Sequence, residues 1–182
     1  LLESGSWPYI RQRPYNIIAR TNKMPKAIFV STHSTAPYDV DYDFIIKERL
    51  NDFQNGVNVM SKIIGKPITL TTSANKESIF SNVNNIDIIN INGKHPSGNV
   101  SFQINKINPI NIGEILWVIN PEDMANIGSF FRTGNFNPTR TIAVSGSSVK
   151  NPKYYKSQIG NKISSILSER DIDNYTGNRY IN

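Results

Sequence analysis

The chain contains no cysteine. Disulfides, thiolate nucleophiles, iron–sulfur ligation and cysteine-type zinc sites are therefore excluded within its 182 residues. Histidine is nearly absent too: His33 and His95 are the only two, too few for a metal site built on several imidazoles. No apolar run reaches the roughly 18 residues that a helical membrane span needs. Charge clusters are also missing. The 20 basic and 14 acidic residues leave a net +6, but Arg11, Arg13, Arg20, Lys23, Lys26, Lys150, Lys153 and Lys156 are scattered. A nucleic-acid face needs basic residues gathered on one element, so no nucleic-acid partner is expected. A weakly basic surface suits a solvated exterior or the neighbourhood of anionic lipid heads. Phosphate-loop patterns are lacking as well. No Gly-x-x-x-x-Gly-Lys-Ser/Thr occurs, "GSFFRTG" is not Gly-x-Gly-x-x-Gly, and "VSGSSV" lacks the second glycine of a nucleophile elbow.

What is present reads as alternating strands and helices. "KAIFVST" (26–32) is a short apolar run with polar bounds, a buried strand. Ile46, Leu50, Phe53, Val57, Met60 and Ile64 form one stripe of helical period, which predicts a long helix from Asp43 that Gly65 stops. "PITLTTS", "IDIINI" and "EILWVIN" predict three more strands. Ser97 is expected to cap a helix bearing Val100, Ile104 and Ile107. Asn120, Pro121 and Asp123 start another, with Met124, Ile127 and Phe131 on its buried face and Gly134 at its end. Residues 1–13 read as a helix end and loop. "RTIAVSG" predicts a fifth strand. Ile159, Ile163 and Ile166 suggest a last short helix, and "RYI" a closing strand. Alternation through residue 134 argues an α/β layer with a largely parallel sheet. The smaller elements after Arg140 argue an appended α+β module.

Three stretches invite a functional reading. "INGKHPSGNV" (91–100) lies between a strand and a helix. Open α/β sheets bind ligands at the carboxyl ends of their strands. Lys94 and His95 offer donors there, and Gly98 offers room for a carbonyl or anionic group. A plain turn stiffened by Pro96 explains the same residues. "SGSWPYIRQRPYN" (4–16) sets Trp7, Tyr9 and Tyr15 beside Arg11 and Arg13, a combination that stacks a planar ring or packs a domain edge. His33 with Asp39, Asp41 and Asp43 is either base or cation chemistry or a loop with helix-capping acids. No nucleophile–histidine–acid set can be assembled.

Taken together, "SGSWPYIRQRPYN", "AIFVST", "GKHPSGN", "WVINPEDMANIGSFFRTG", "RTIAVSG" and "IGNKISSIL" with "NRYIN" resemble one family, the A subunit of the bacterial Na+-translocating NADH:quinone oxidoreductase. The similarity runs over essentially the whole chain. It implies a middle piece of a longer polypeptide. Residues 1–138 would be a Rossmann-like, parallel-rich α/β domain related to the flavoprotein subunit of complex I. Residues 139–182 would begin a small β-grasp module of the SLBB type. The related flavoproteins hold FMN on a glycine-dense loop, where this chain has Gly5 followed by bulky residues, so the flavin site is expected to be lost. The usual Gly-Pro-His-Pro-Ala-Gly turn of the family has Lys94 and Ser97 in place of Pro and Ala. Ser34 and Tyr38 stand where an acid and a leucine are usual.

The resemblance further implies a cytosol-facing, peripheral piece without a redox cofactor, flavins and iron–sulfur centres belonging to other subunits. Its partners would be the membrane subunits, chiefly the B subunit, and the quinone. Trp7, Arg13, Tyr15, His95 and Gly98 are the expected quinone-proximal residues. The alternative is a non-redox SLBB-type binding or adaptor module.

Overall fold

The computed structural model describes residues 1–74, 77–168, 171–173 and 177. The "RYI" strand lies outside them. Two compact units are present, one of Leu1–Ala36 with Asp41–Asn137 and one of Pro37–Val40 with Pro138–Asn182.

The first unit is built on a sheet of six strands: β1 (Ile10–Arg13), β2 (Ile17–Ile18), β3 (Ile28–Ser31), β4 (Ile68–Ser73), β5 (Ile86–Ile91) and β6 (Leu116–Ile119). Their order is β2-β1-β6-β3-β4-β5. Strands β6, β3, β4 and β5 run parallel, while β1 is antiparallel to both neighbours. Four helices are added: α1 (Tyr42–Ile46), α2 (Leu50–Ile64), α3 (Val100–Ile107) and α4 (Pro121–Thr133).

Side chains alternate across a strand, so each strand feeds two layers. Ile28, Val30, Ile68, Leu70, Trp117 and Ile119 meet Phe53, Val57, Met60, Met124 and Ile127 of α2 and α4. Phe29 and Leu116 point the other way and meet Ile104 of α3. Phe53, Val57 and Met60 are fully buried, and each contributes about 1.5–3 kcal/mol by leaving water. Helices α2 and α4 touch through glycine. A Cβ on Gly56 would overlap the Met124 carbonyl oxygen, and one on Gly128 the Asp52 carbonyl oxygen.

Several sequence expectations need correction. Residues 1–13 are not a loop: a 3-10 turn at Trp7–Tyr9 leads into β1. Its inward residues are Ile10 and Gln12, the latter buried because its Oε1 accepts the Arg20 N–H at 3.1 Å. The long helix is broken by a 3-10 turn at Lys47–Arg49, and it begins at Tyr42, capped by Asp41. Ser97 does not cap α3. Asn99 does, its side chain accepting the Ser101 N–H. Phe131 is half-exposed rather than buried. Gly65 and Gly134 do end α2 and α4, each in the left-handed region.

In the second unit, β7 (Thr139–Val144) and β8 (Lys153–Gln158) form an antiparallel pair in register from Thr139↔Gln158 to Val144↔Lys153. The expected short helix is a 3-10 turn at Ile163–Ser165, and Ile159 follows β8. Strand β8 escapes the sequence reading because "KYYKSQ" is largely polar, with Lys153, Lys156 and Gln158 exposed and no residue buried.

Candidate functional site

The turn after β5 is built on a buried serine. Ser97 Oγ donates to the Gly93 carbonyl at 2.8 Å and lies 3.1 Å from His33 Nε2. A hydroxyl carries one hydrogen, and Gly93 takes it. His33 must therefore donate through Nε2–H, which fixes its tautomer. Burial pulls the His33 pKa below its ordinary value, consistent with a neutral ring. Gln103 extends the network: its Nε2 donates to the Ser97 carbonyl at 2.8 Å and its Oε1 accepts from Thr71 Oγ1 at 2.7 Å.

Gly98 is needed for packing. A Cβ there would crowd Thr35 and stand 2.9 Å from the Ser34 carbonyl carbon. The loop after β3 thus fills the space that the sequence reading offered to a ligand. Lys94 and His95 are exposed on the outside of the turn. His33, read from sequence beside Asp39, Asp41 and Asp43, is separated from them by role. Asp41 caps α1. Asp43 accepts from Ser78 Oγ at 2.8 Å. Among the described residues no group of His, Asp or Glu is placed to hold a metal ion.

The other candidates sit on β1. Trp7 is partly buried. Its indole N–H donates to the Ala19 carbonyl at 2.7 Å, and its ring meets Trp117 edge-on at 5.6 Å. Tyr15, in the turn between β1 and β2, is 81% exposed. Arg13 Nη1 donates to Ser101 Oγ at 3.1 Å. Together with Pro14, Ser101, Ile104, Asn105 and Ile110, Arg13 lines a cleft of about 190 Å³.

The candidates do not form one site. Strands β1 and β5 are separated by β6, β3 and β4, roughly 19 Å at about 4.8 Å per strand step. Arg13 pairs with Leu116 at the amino end of the parallel strands, whereas His95 follows β5 at their carboxyl end. The stretch "GSWPYIRQRPYN" forms strand and turn, not a loop of free N–H groups.

The sequence model of the NqrA second alpha/beta domain matches residues 1–136, and that of the NQRA C-terminal domain matches residues 141–182. The chain belongs to the NqrA family. Similar proteins include the A subunit of the Na(+)-translocating NADH-quinone reductase of Neisseria meningitidis serogroup B, 35% identical over 181 residues, covering 100% of this chain and 40% of the relative. The protein of the same name from Haemophilus influenzae Rd is 32% identical over 167 residues, covering 91% and 37%. The chain thus spans about 40% of the length of the NqrA relatives it matches.

Proposed function

We propose that the chain works as part of the NqrA subunit of a Na+-translocating NADH:quinone reductase, the assembly that couples NADH oxidation and quinone reduction to sodium export. The observation that carries this reading is the two NqrA family models lying end to end along the chain. Its role is to dock on the membrane subunits, chiefly the B subunit, and to help shape the quinone site from the cytosolic side. The piece is peripheral in this reading; among the described residues no helix is long and apolar enough to cross a membrane. Residues 1–138 are then a relative of the complex I flavoprotein fold that has lost its flavin, and residues 139–182 are the β-grasp module. Redox cofactors belong to other subunits.

Of the quinone-proximal candidates, Tyr15 and His95 offer exposed rings. Arg13 offers a cation for a reduced quinone oxygen. Trp7 and Gly98 act beneath them by holding the backbone. Because Tyr15 and His95 lie at opposite edges of the sheet, one faces the quinone region and the other a neighbouring subunit or solvent. Separate Tyr15→Ala and His95→Ala substitutions in the assembled complex distinguish them. The variant at the quinone region is expected to lower quinone-reductase turnover roughly 2- to 10-fold, the worth of one contact of about 0.5–1.5 kcal/mol. NADH oxidation by an artificial acceptor, which draws electrons upstream of the quinone, should stay unchanged. Normal quinone turnover and assembly in both variants would reduce the two residues to scaffold.

A further inference from the structure

Asparagine followed by glycine occurs twice in the chain, at Asn55–Gly56 and at Asn92–Gly93. The two copies meet opposite surroundings. Gly56 is buried inside α2. Its N–H is spent on the helical ladder, and the helix fixes the backbone on both sides of it. Asn92 and Gly93 follow β5 and are both exposed. The Gly93 N–H donates to the Asn92 side-chain oxygen, Oδ1, at 2.8 Å. Cγ is the carbon bonded to Oδ1, so the Gly93 nitrogen stands beside the one atom of that side chain it can attack. Gly93 has φ +125°, a conformation open to glycine, and carries no Cβ to hold the Asn92 carboxamide away. Two reacting groups held together in this way turn an encounter into an intramolecular step and raise its rate.

We propose that Asn92 is a site of spontaneous covalent modification, converting to isoaspartate and aspartate through a cyclic imide formed with Gly93. The Gly93 amide nitrogen gives up its proton to base and forms a bond to Asn92 Cγ. The bond from Cγ to Nδ2 breaks, and Nδ2 leaves as ammonia after taking up a proton. Water then opens the imide. Cutting the new bond at Cγ leaves aspartate. Cutting the original peptide bond leaves isoaspartate, whose main chain runs through the side chain and is one methylene longer. The sum is asparagine plus water giving a carboxylic acid and ammonia, so no oxidant or reductant is involved. Either product adds a negative charge to the turn. Isoaspartate also displaces the Gly93 carbonyl, which accepts Ser97 Oγ at 2.8 Å, and Ser97 is the partner of His33. The reaction therefore ages the turn that the buried serine holds. None of this depends on membership of the quinone reductase.

The test is peptide mapping by mass spectrometry of the full-length protein that carries this chain, sampled during incubation at mildly alkaline pH, both folded and in urea. Fragmentation separates Asn92 from its asparagine neighbours and isoaspartate from aspartate. In the folded protein Asn92 is expected to convert about tenfold or more faster than Asn55, with isoaspartate the larger product. In urea the two asparagine–glycine pairs should react within about threefold of each other, because only the fold distinguishes them. Equal conversion of Asn92 and Asn55 in the folded protein would overturn the proposal. So would a gap of the same size in urea, or an Asn92 that stays intact in the folded protein while the unfolded chain reacts.

Discussion

His33 lies beneath the turn that follows β5, where its ring donates to Ser97 Oγ and burial disfavours its charged form. A folded-state pKa held below the unfolded value means that the unfolded chain takes up the proton first. The His33 contribution is therefore intact above about pH 6.5 and is lost as pH falls from there through the folded pKa. His33→Gln keeps an N–H donor for Ser97 without a titrating group. It should remove that part of the acid sensitivity, read as a smaller difference between urea midpoints at about pH 7.5 and pH 5.5 than in the parent chain. An unchanged difference would mean that His33 does not titrate with folding.

Ser97→Ala should cost about 1–3 kcal/mol, because it leaves His33 Nε2 and the Gly93 carbonyl unpaired. Asn99→Ala should cost only about 1 kcal/mol, the worth of a helix cap. Urea unfolding of both variants checks the order. Equal costs would place Ser97 back among ordinary surface residues. Serine and asparagine both favour helix caps, and the sequence reading gives the cap to Ser97 alone. What separates them is burial against His33, a contact across 64 positions that local pattern cannot reveal. Gly98 is a similar case: its need for a missing side chain was legible, but the neighbour that imposes it is Thr35, not a ligand.

At the scale of elements, α2 and α4 are held at a distance that only glycine permits. Gly128→Ala places a methyl group on the Asp52 carbonyl oxygen, a backbone atom that cannot turn aside. The helices must separate and Phe53, Val57 and Met60 must repack. A loss of about 3 kcal/mol or more is expected, against less than about 0.5 kcal/mol for Lys62→Ala on the exposed face of α2. Thermal unfolding of both variants decides it, and a Gly128→Ala chain as stable as its parent would contradict the close crossing.

Elements with local signatures were legible in advance. Strands β3 to β6 are short stretches rich in β-branched and other apolar residues, IFVS, ITLTTS, IDIINI and LWVI, and α4 carries its own cap, proline and terminal glycine. Strand β1 was not legible, because Arg11 and Arg13 alternate with Ile10 and Gln12. The strand exists through its ladder with β6, more than a hundred residues away. The Lys47–Arg49 break was hidden because a 3-10 turn shifts the helical phase too little to disrupt the apolar stripe.

For the whole molecule, a parallel-rich sheet, a small antiparallel unit and the two NqrA family models agree on a piece of an NqrA chain. Residues that the sequence gathered into one quinone site are spread across the sheet, since sequence proximity and family resemblance name residues but not the edge on which each falls. The expected loss of the flavin site predicts flat fluorescence and calorimetric titrations with FMN and NADH at about 100 μM, a level that reveals any site with Kd near 10 μM. Saturable binding of either would restore a nucleotide site to this domain.

The most direct measurement of the quinone-reductase reading is affinity purification of the tagged full-length protein from solubilised membranes, followed by assay for sodium-stimulated NADH:quinone reductase activity. The activity is expected to co-purify with the tag and to be lost from membranes when the gene is deleted. A protein recovered alone, with membrane quinone-reductase activity unaffected by its deletion, would contradict that reading.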